Sequence, residues 1–90
     1  MQTSVLIVTD DVGLHARPAS EFVKLAGQFA SSLRVRNLTK QSDWVDAKSI
    51  LMVLTLGVEQ NHEIELMAEG EDEEAAIRSM EELVQHNFNG

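Results

Sequence analysis

The stretch Gly13-Leu14-His15-Ala16-Arg17-Pro18-Ala19 separates two segments with different hydrophobic periods. Before it, residues 2–9 are apolar and β-branched without a helical period, which predicts a buried strand. After it, apolar residues recur at one-turn spacing and predict a helix from Ala16, with a buried face of Ala19, Phe22, Val23, Ala26 and Phe29. Pro18 fits the first turn of that helix, where a missing N–H costs nothing. The stretch therefore predicts a strand-to-helix connection with His15 at the start of the helix.

The middle of the chain predicts two short strands and a short helix. Residues 33–36 alternate in polarity as a strand, with both arginines on its outer side. A polar loop or hairpin over residues 37–43 leads to a short strand that starts at Trp44. The helix covers residues 48–56, with Ser49 as its N-cap and Gly57 just beyond its end.

The last third of the chain predicts a strand and a long helix. Residues 62–68 alternate as a half-buried strand, and Asp72 is placed as the N-cap of the final helix. The order β-α-β-β-α-β-α predicts an α+β fold, because charged outer strand positions imply that one sheet face is wet. We therefore expect a two-layer sandwich in which an antiparallel sheet carries all three helices on one face.

Length, charge and composition exclude several classes of protein. The chain has 90 residues, no cysteine and a net charge of −8, which argues against disulfide and thiolate metal sites and against non-specific nucleic-acid binding. Residues 1–50 hold six bases and five acids, whereas residues 51–90 hold Arg78 against ten acids. Anion chemistry is therefore expected in the first half. The sequence shows neither a membrane span nor a secretory signal, so a cytoplasmic protein is expected.

His15 is the candidate reactive residue because of where the helix begins. The first N–H groups of a helix lack intrahelical partners and carry the positive end of its dipole, which favours anions. Arg17 adds a permanent cation that can bind phosphoryl oxygens through two parallel hydrogen bonds. These parts suit a neutral imidazole that attacks a phosphoryl group. The alternative is that His15 is only an N-cap or a loop histidine.

Three segments of the sequence resemble the histidine-containing phosphocarrier protein family, HPr, of the sugar phosphotransferase system. They are the signature at residues 13–19, the segment Asp46-Ala47-Lys48-Ser49-Ile50 followed by Leu56-Gly57, and Ala68-Glu69-Gly70-Glu71-Asp72-Glu73. The resemblance implies one open-faced sandwich over residues 1–90, with a four-stranded sheet of order 1-4-2-3. It implies a monomeric carrier rather than an enzyme, without cofactor or metal.

The resemblance also assigns roles to residues. His15 would take a phosphoryl group on Nδ1 from the phosphoenolpyruvate-dependent enzyme I and pass it to a sugar-specific enzyme IIA. Arg17 would steady that group, held also by the backbone of Ala16 and Arg17. Ser49 matches the family's regulatory serine, the substrate of an HPr serine kinase/phosphorylase in some lineages.

The same resemblance places partner docking on the first two helices. The docking residues would be Ala16, Arg17, Ser20 and Lys24 on the first helix and Ile50, Leu51 and Leu54 on the second. Ile50, Leu51 and Leu54 are expected to form an exposed apolar patch beside His15, because five apolar residues in a row cannot all face the sheet. Val53 and Leu56 are the better core candidates.

Several readings stay open at this point. A regulatory relative in a nitrogen-related or dihydroxyacetone phosphotransfer branch, and an α/β interaction domain without covalent chemistry, are the alternatives to a sugar-system carrier. His15 beside Arg17 favours the carrier. His62 and His86 are expected to be structural, and the acids at residues 69–74 lack the spacing of a calcium loop. Trp44 is expected as a lid over the core rather than as an interface anchor, and the tail after residue 85 carries no prediction.

Overall fold

The computed structural model describes residues 1–88, which form one sheet covered by three helices. In chain order the elements are β1 (Gln2–Ile7), α1 (Ala16–Ala26), β2 (Ser32–Asn37), β3 (Val45–Asp46), α2 (Ile50–Thr55), β4 (Glu63–Glu69) and α3 (Glu73–Gln85). The strands pair antiparallel in the order β1-β4-β2-β3. The α+β fold, the element order and the strand order expected from the sequence are confirmed.

One core lies between the sheet and the helices. The inner positions of β4 are Ile64, Leu66 and Ala68, and each is fully buried. The buried residues of all three helices join them in a single cluster. Burial on this scale contributes roughly 1.5–3 kcal/mol for each large aliphatic or aromatic side chain, which is what holds the two layers together.

β1 is the strand for which the sequence prediction is wrong. It lies at the edge of the sheet and alternates in burial, so that Leu6 faces the core while Val5 and Ile7 are 49% and 53% exposed. A continuous apolar run predicts burial on both faces. The opposite face of this sheet carries no helix, however, and the run there meets solvent.

The position of Trp44 also differs from the expected lid over the core. The guanidinium of Arg36 lies 5.0 Å from the centroid of the Trp44 ring, a cation–π arrangement. Arg36 alternates with the buried Val35, so it belongs to the sheet face away from the helices. Trp44 therefore stacks on an outer strand residue and is not a lid over the core.

The connection between β2 and β3 is organised by the side chain of Asn37. Asn37 is fully buried, and its Oδ1 accepts a hydrogen bond from the backbone of Lys40 at 3.1 Å. Its Nδ2 donates to the carbonyl of Leu56 at 3.1 Å. One amide therefore joins the polar loop to the end of α2, which explains how a connection without a tight two-residue turn is ordered.

Asp72 occupies the N-cap position of α3, but its side chain does not cap that helix. Its carboxylate instead accepts hydrogen bonds from the backbone N–H groups of Ala30 and Ser31, both at 2.9 Å, and from the Ser31 hydroxyl. The predicted capping bond is wrong because the loop between α1 and β2 presents better-placed donors. These hydrogen bonds, that of the Ser31 hydroxyl first, lower the pKa of Asp72.

We expect Asp72→Asn to lower the melting temperature at pH 7 and to lose that effect in acid. A carboxyl whose pKa is lower in the folded state stabilises the fold above its unfolded pKa, and the stabilisation disappears as pH falls through the folded pKa. Thermal unfolding from pH 7 down to about pH 2 should therefore show the two proteins converging below about pH 4. Glu71→Gln at an exposed neighbour is the control and should follow the wild type throughout. A melting-temperature difference for Asp72→Asn that is constant over the whole pH range would contradict the assignment.

Candidate functional site

The loop before α1 is fixed by backbone contacts on both sides. The N–H of Gly13 donates to the carbonyl of Asp10 at 3.0 Å, and the N–H of Leu14 donates to the carbonyl of Val58 at 3.0 Å. Gly13 has φ +67°, and a Cβ there would lie 2.2 Å from the Val58 oxygen. Glycine is therefore required at position 13 both by conformation and by space, and His15 follows a rigid segment.

His15 stands at the N-cap of α1 with an extended backbone, φ −129° and ψ 161°. Its side chain makes no capping hydrogen bond and is half-buried. His15 is thus the N-cap residue by position, as the alternative from the sequence has it, but its side chain does not do the capping. The imidazole is free for an external group at the end of α1 where unpaired N–H groups are located.

Ala16 adopts a left-handed conformation, φ +50°, at the first position of α1. An alanine in this region stores strain of the order of 1–3 kcal/mol, which the surrounding structure must offset. The right-handed helical backbone of α1 therefore begins only after Ala16, and the backbone changes direction directly after His15.

Arg17 is exposed, and its Nη1 donates to the backbone carbonyl of Phe88 at 3.0 Å. Phe88 itself is fully buried, so the carbonyl that holds Arg17 is anchored in the core. A guanidinium has five N–H donors, so this contact leaves others for an anion. No role for the tail follows from the sequence: Phe88 lies beyond the end of α3 with a left-handed backbone, so helical spacing does not predict its burial.

α2 presents the predicted apolar patch. The exposed fractions are 38% for Ile50, 74% for Leu51 and 38% for Leu54, while Val53 and Leu56 are buried. The predicted division of this helix into exposed and core positions is confirmed. Met52 was not predicted as part of this surface, but it is 43% exposed and extends it. We use "apolar patch" below for Ile50, Leu51, Met52 and Leu54.

Ser49 is the N-cap of α2, as predicted, and its Oγ accepts a hydrogen bond from the N–H of Met52 at 3.4 Å. The neighbouring Lys48 donates from Nζ to the carbonyl of Phe29 at 2.8 Å, just after α1 ends. The start of α2 thus lies near the end of α1, and the segment after α2 meets Leu14 at the start of α1 through Val58.

The two helices are therefore antiparallel, and His15 and Ser49 lie at opposite ends of the surface they form. The length of α1 puts about 15 Å between these ends. The Leu54 end of the apolar patch is nearest to His15. Ser20 and Lys24, the other docking residues expected on α1, are exposed. The structure thus places all the predicted residues on two packed helices, while keeping Ser49 away from the histidine.

The other two histidines lie outside this surface, and only the side chain of His62 has hydrogen-bond partners among the described residues. His62 Nδ1 accepts a hydrogen bond from the N–H of Glu59 at 3.1 Å and lies 3.2 Å from the Asn37 amide nitrogen. His86 is the C-cap residue of α3. Within residues 1–88 no cluster of metal-ligating side chains is found, and no helix is long and apolar enough to cross a bilayer.

Comparison with known proteins identifies the same family throughout. The model of the PTS HPr component phosphorylation site matches residues 2–86. The phosphocarrier protein HPr of Haloferax volcanii is 40% identical over 84 residues, which cover 93% of this chain and 92% of that protein. The multiphosphoryl transfer protein of Haemophilus influenzae is 41% identical over 73 residues, but the match covers 81% of this chain and only 15% of that protein.

A solved structure agrees with these sequence matches. HPr from Thermoanaerobacter tengcongensis superposes with a TM-score of 0.92 at 39% identity and covers 100% of this chain and 98% of that one. The match over nearly all of the chain, together with a free histidine at the start of α1, shows that the chain belongs to the HPr family of the phosphotransferase system, whose members carry phosphoryl groups and are not enzymes.

Proposed function

We propose that His15 accepts a phosphoryl group from enzyme I, with phosphoenolpyruvate as the ultimate donor, and passes it to a sugar-specific enzyme IIA. The observation that carries the proposal is that the His15 side chain makes no capping bond at the start of α1, two residues before the cation of Arg17. In the transfer, the Nδ1 lone pair forms a bond to phosphorus while the bond from phosphorus to the donor breaks. The imidazole must therefore be neutral with its proton on Nε2.

The surroundings of His15 should stabilise the phosphorylated form of the histidine more than the unphosphorylated form. The phosphoryl group brings negative charge to the positive end of the α1 dipole, near the first N–H groups of the helix. Arg17 supplies charge-assisted hydrogen bonds from donors that the Phe88 carbonyl leaves free. Both contributions exist before transfer, so the protein needs little reorganisation when the charge arrives.

Incubation of the chain with phosphoenolpyruvate and a general enzyme I tests the proposal. Intact mass should rise by one phosphoryl group, and the adduct should be labile in acid but stable in base, as a phosphoramidate is. A reaction without enzyme I is the control and should leave the mass unchanged. No mass gain with active enzyme I, or an adduct that is stable in acid, would contradict a phosphohistidine carrier.

Docking is proposed to use the apolar patch together with the exposed side of α1. Exposed apolar surface of this kind commonly marks a partner site, and the patch borders the helix that starts at His15. The basic residues Arg17 and Lys24 flank it on α1 and would suit a partner with acidic residues at its rim.

We expect Leu51→Glu to slow phosphoryl transfer from enzyme I by about tenfold or more, because the partner would have to bury a charge where it now buries a methyl-rich side chain. Leu51 is 74% exposed, so thermal stability should change little. Stopped reactions analysed by intact mass give the rate. Leu51→Met is the matched control and should transfer at the wild-type rate. A glutamate variant that melts much earlier would place Leu51 in the core, and one that transfers normally would exclude it from the docking surface.

Ser49 is proposed as a regulatory position in hosts with an HPr serine kinase/phosphorylase. Because Ser49 and His15 lie at opposite ends of the surface formed by α1 and α2, a phosphate on Ser49 would act on docking and not on the phosphohistidine itself. It would add roughly −1.5 to −2 charges at the rim of the apolar patch.

We expect Ser49→Asp to keep or raise the melting temperature, since a carboxylate also caps a helix, and to reduce the rate of transfer from enzyme I. Ser49→Ala separates the two effects: it should lower stability by about 1 kcal/mol through loss of the cap and leave transfer unchanged. Wild-type transfer rates in a folded Ser49→Asp variant would exclude a switch at this position.

A further inference from the structure

The sheet has one long free edge, which is the outer side of β1. The N–H and carbonyl of Val8 both bond toward the β4 side, to His62 and Asn61. Because the two backbone groups of each residue in an antiparallel strand point to the same side and alternate along it, Thr3, Val5 and Ile7 point theirs away from β4. Within the described residues β1 pairs only with β4, so these three N–H groups have no partner strand.

Nothing in the β1 sequence protects this edge. Natural proteins commonly block an edge strand with a charge, a proline, a bulge or very short length. β1 has six residues without a charge or a proline, and its pairing with β4 runs without interruption from Gln2 to Ile7. The other edge of the sheet, β3, is only two residues long. β1 therefore offers a row of unused donors and acceptors.

The two sides of the β1 edge differ in polarity. On the open face of the sheet, Val5 and Ile7 are about half exposed. On the helix side, α3 and the start of β1 enclose a groove of about 320 Å³ lined by Gln2, Thr3, Glu74, Ile77, Arg78 and Glu81. A strand added to the edge would thus place alternate side chains against apolar residues and against a groove with two carboxylates and one guanidinium.

We propose that the edge of β1 binds an extended segment of a partner protein that has apolar residues on one side and basic residues on the other. The main-chain bonds would come from Thr3, Val5 and Ile7, as in strand addition to a sheet edge. The apolar residues of the segment would contact Val5 and Ile7, and its basic residues would face Glu74 and Glu81. A second copy of this chain fits less well, because its edge would bring the same excess of two carboxylates over one guanidinium.

The surface is separate from the phosphoryl site. Val5 and Ile7 lie on the sheet face without helices, and Glu74 and Glu81 lie on α3, whereas His15 and the apolar patch belong to α1 and α2. A segment bound at the β1 edge would therefore leave His15 and the apolar patch accessible, and the two interactions can be tested independently.

The test uses an acetylated, amidated peptide in which lysine and valine alternate, titrated into the ¹⁵N-labelled chain and followed by NMR. We expect shifts and slower hydrogen exchange at the amides of Thr3, Val5 and Ile7. The amides of Ser4 and Leu6 already bond to β4 and should keep their exchange rates. The same peptide with glutamate in place of lysine should not bind. Shifts confined to another surface, no shifts at all, or equal binding of the two peptides would overturn the proposal.

Two variants sharpen the result. Val5→Pro removes one outward N–H without touching the β4 ladder and should raise the Kd by about tenfold. Glu74→Lys reverses a charge in the groove and should raise it by about fivefold, while both variants keep the fold. Unchanged affinity in both would overturn the proposal. So would protection of Thr3, Val5 and Ile7 that grows with protein concentration alone, since the occupant would then be a second copy of the chain.

Discussion

Replacement of His15 with alanine is expected to abolish phosphoryl acceptance. His15 is the proposed nucleophile at the start of α1, and its side chain makes no capping bond that the fold would lose. The mass gain seen with phosphoenolpyruvate and enzyme I should therefore disappear, while the melting temperature stays close to the wild-type value.

The same experiment on His86→Ala supplies the control, because His86 is exposed at the end of α3 and should be dispensable for acceptance. If His15→Ala still gains one phosphoryl group at the wild-type rate, the acceptor is another residue and the site assignment is wrong.

Gly13→Ala is expected to destabilise the protein by about 2–4 kcal/mol and to slow phosphoryl transfer. The added Cβ would lie 2.2 Å from the carbonyl oxygen of Val58 and 2.7 Å from the Cα of Glu59, both backbone atoms that cannot turn away. The backbone at Gly13 is also left-handed, where alanine is strained. Relief of the clash would move the loop that fixes His15, so stability and transfer should fall together.

Gly27→Ala is the matched control for Gly13→Ala. Gly27 has φ −67° at the end of α1, and a Cβ there would make only ordinary contacts at 3.5 Å. This substitution should be neutral or stabilise by up to about 1 kcal/mol, because alanine restricts the unfolded chain more than glycine does. Chemical denaturation of the two variants measures both effects. Equal stability of Gly13→Ala and Gly27→Ala would show that the loop before His15 is not packed as described.

Most of the fold could be predicted from hydrophobic period alone. The alternation of Ile64, Leu66 and Ala68 and the one-turn spacing around Phe22 each select one secondary structure and one inner face. The structure agrees for the strand and for the middle of α1, but α1 ends at Ala26, so Phe29 packs against the core from outside the helix. The strand order came from the family resemblance. β1 was predicted wrongly because its outer positions hold Val5 and Ile7, which are apolar although they lie on the sheet face that has no helices. The hydrophobic period of a sequence shows which residues are apolar, whereas the exposure of a residue depends on whether another part of the chain packs over it.

The functional site, like the fold, contains some features that the sequence predicts and others that it does not. His15 could be located because Gly13, Pro18 and the change of period mark a helix start. The contact of Arg17 with the Phe88 carbonyl joins residues 71 positions apart, and local sequence does not encode such a meeting. Asp72 shows the related limit. An acidic residue before a helix predicts a capping bond, but the donors of Ala30 and Ser31 come from a distant loop and compete successfully for the carboxylate.

A carrier must pass its phosphoryl group on as well as receive it. The most direct measurement is a single cycle followed by intact mass: the chain is phosphorylated with enzyme I and phosphoenolpyruvate, separated from both, and mixed with an enzyme IIA. We predict that the chain loses its phosphoryl group as the enzyme IIA gains one, and that a second addition of donor restores the phosphorylated mass. A phosphorylated chain that loses the group only to water, at the same rate with or without each enzyme IIA of its host, would contradict the carrier function.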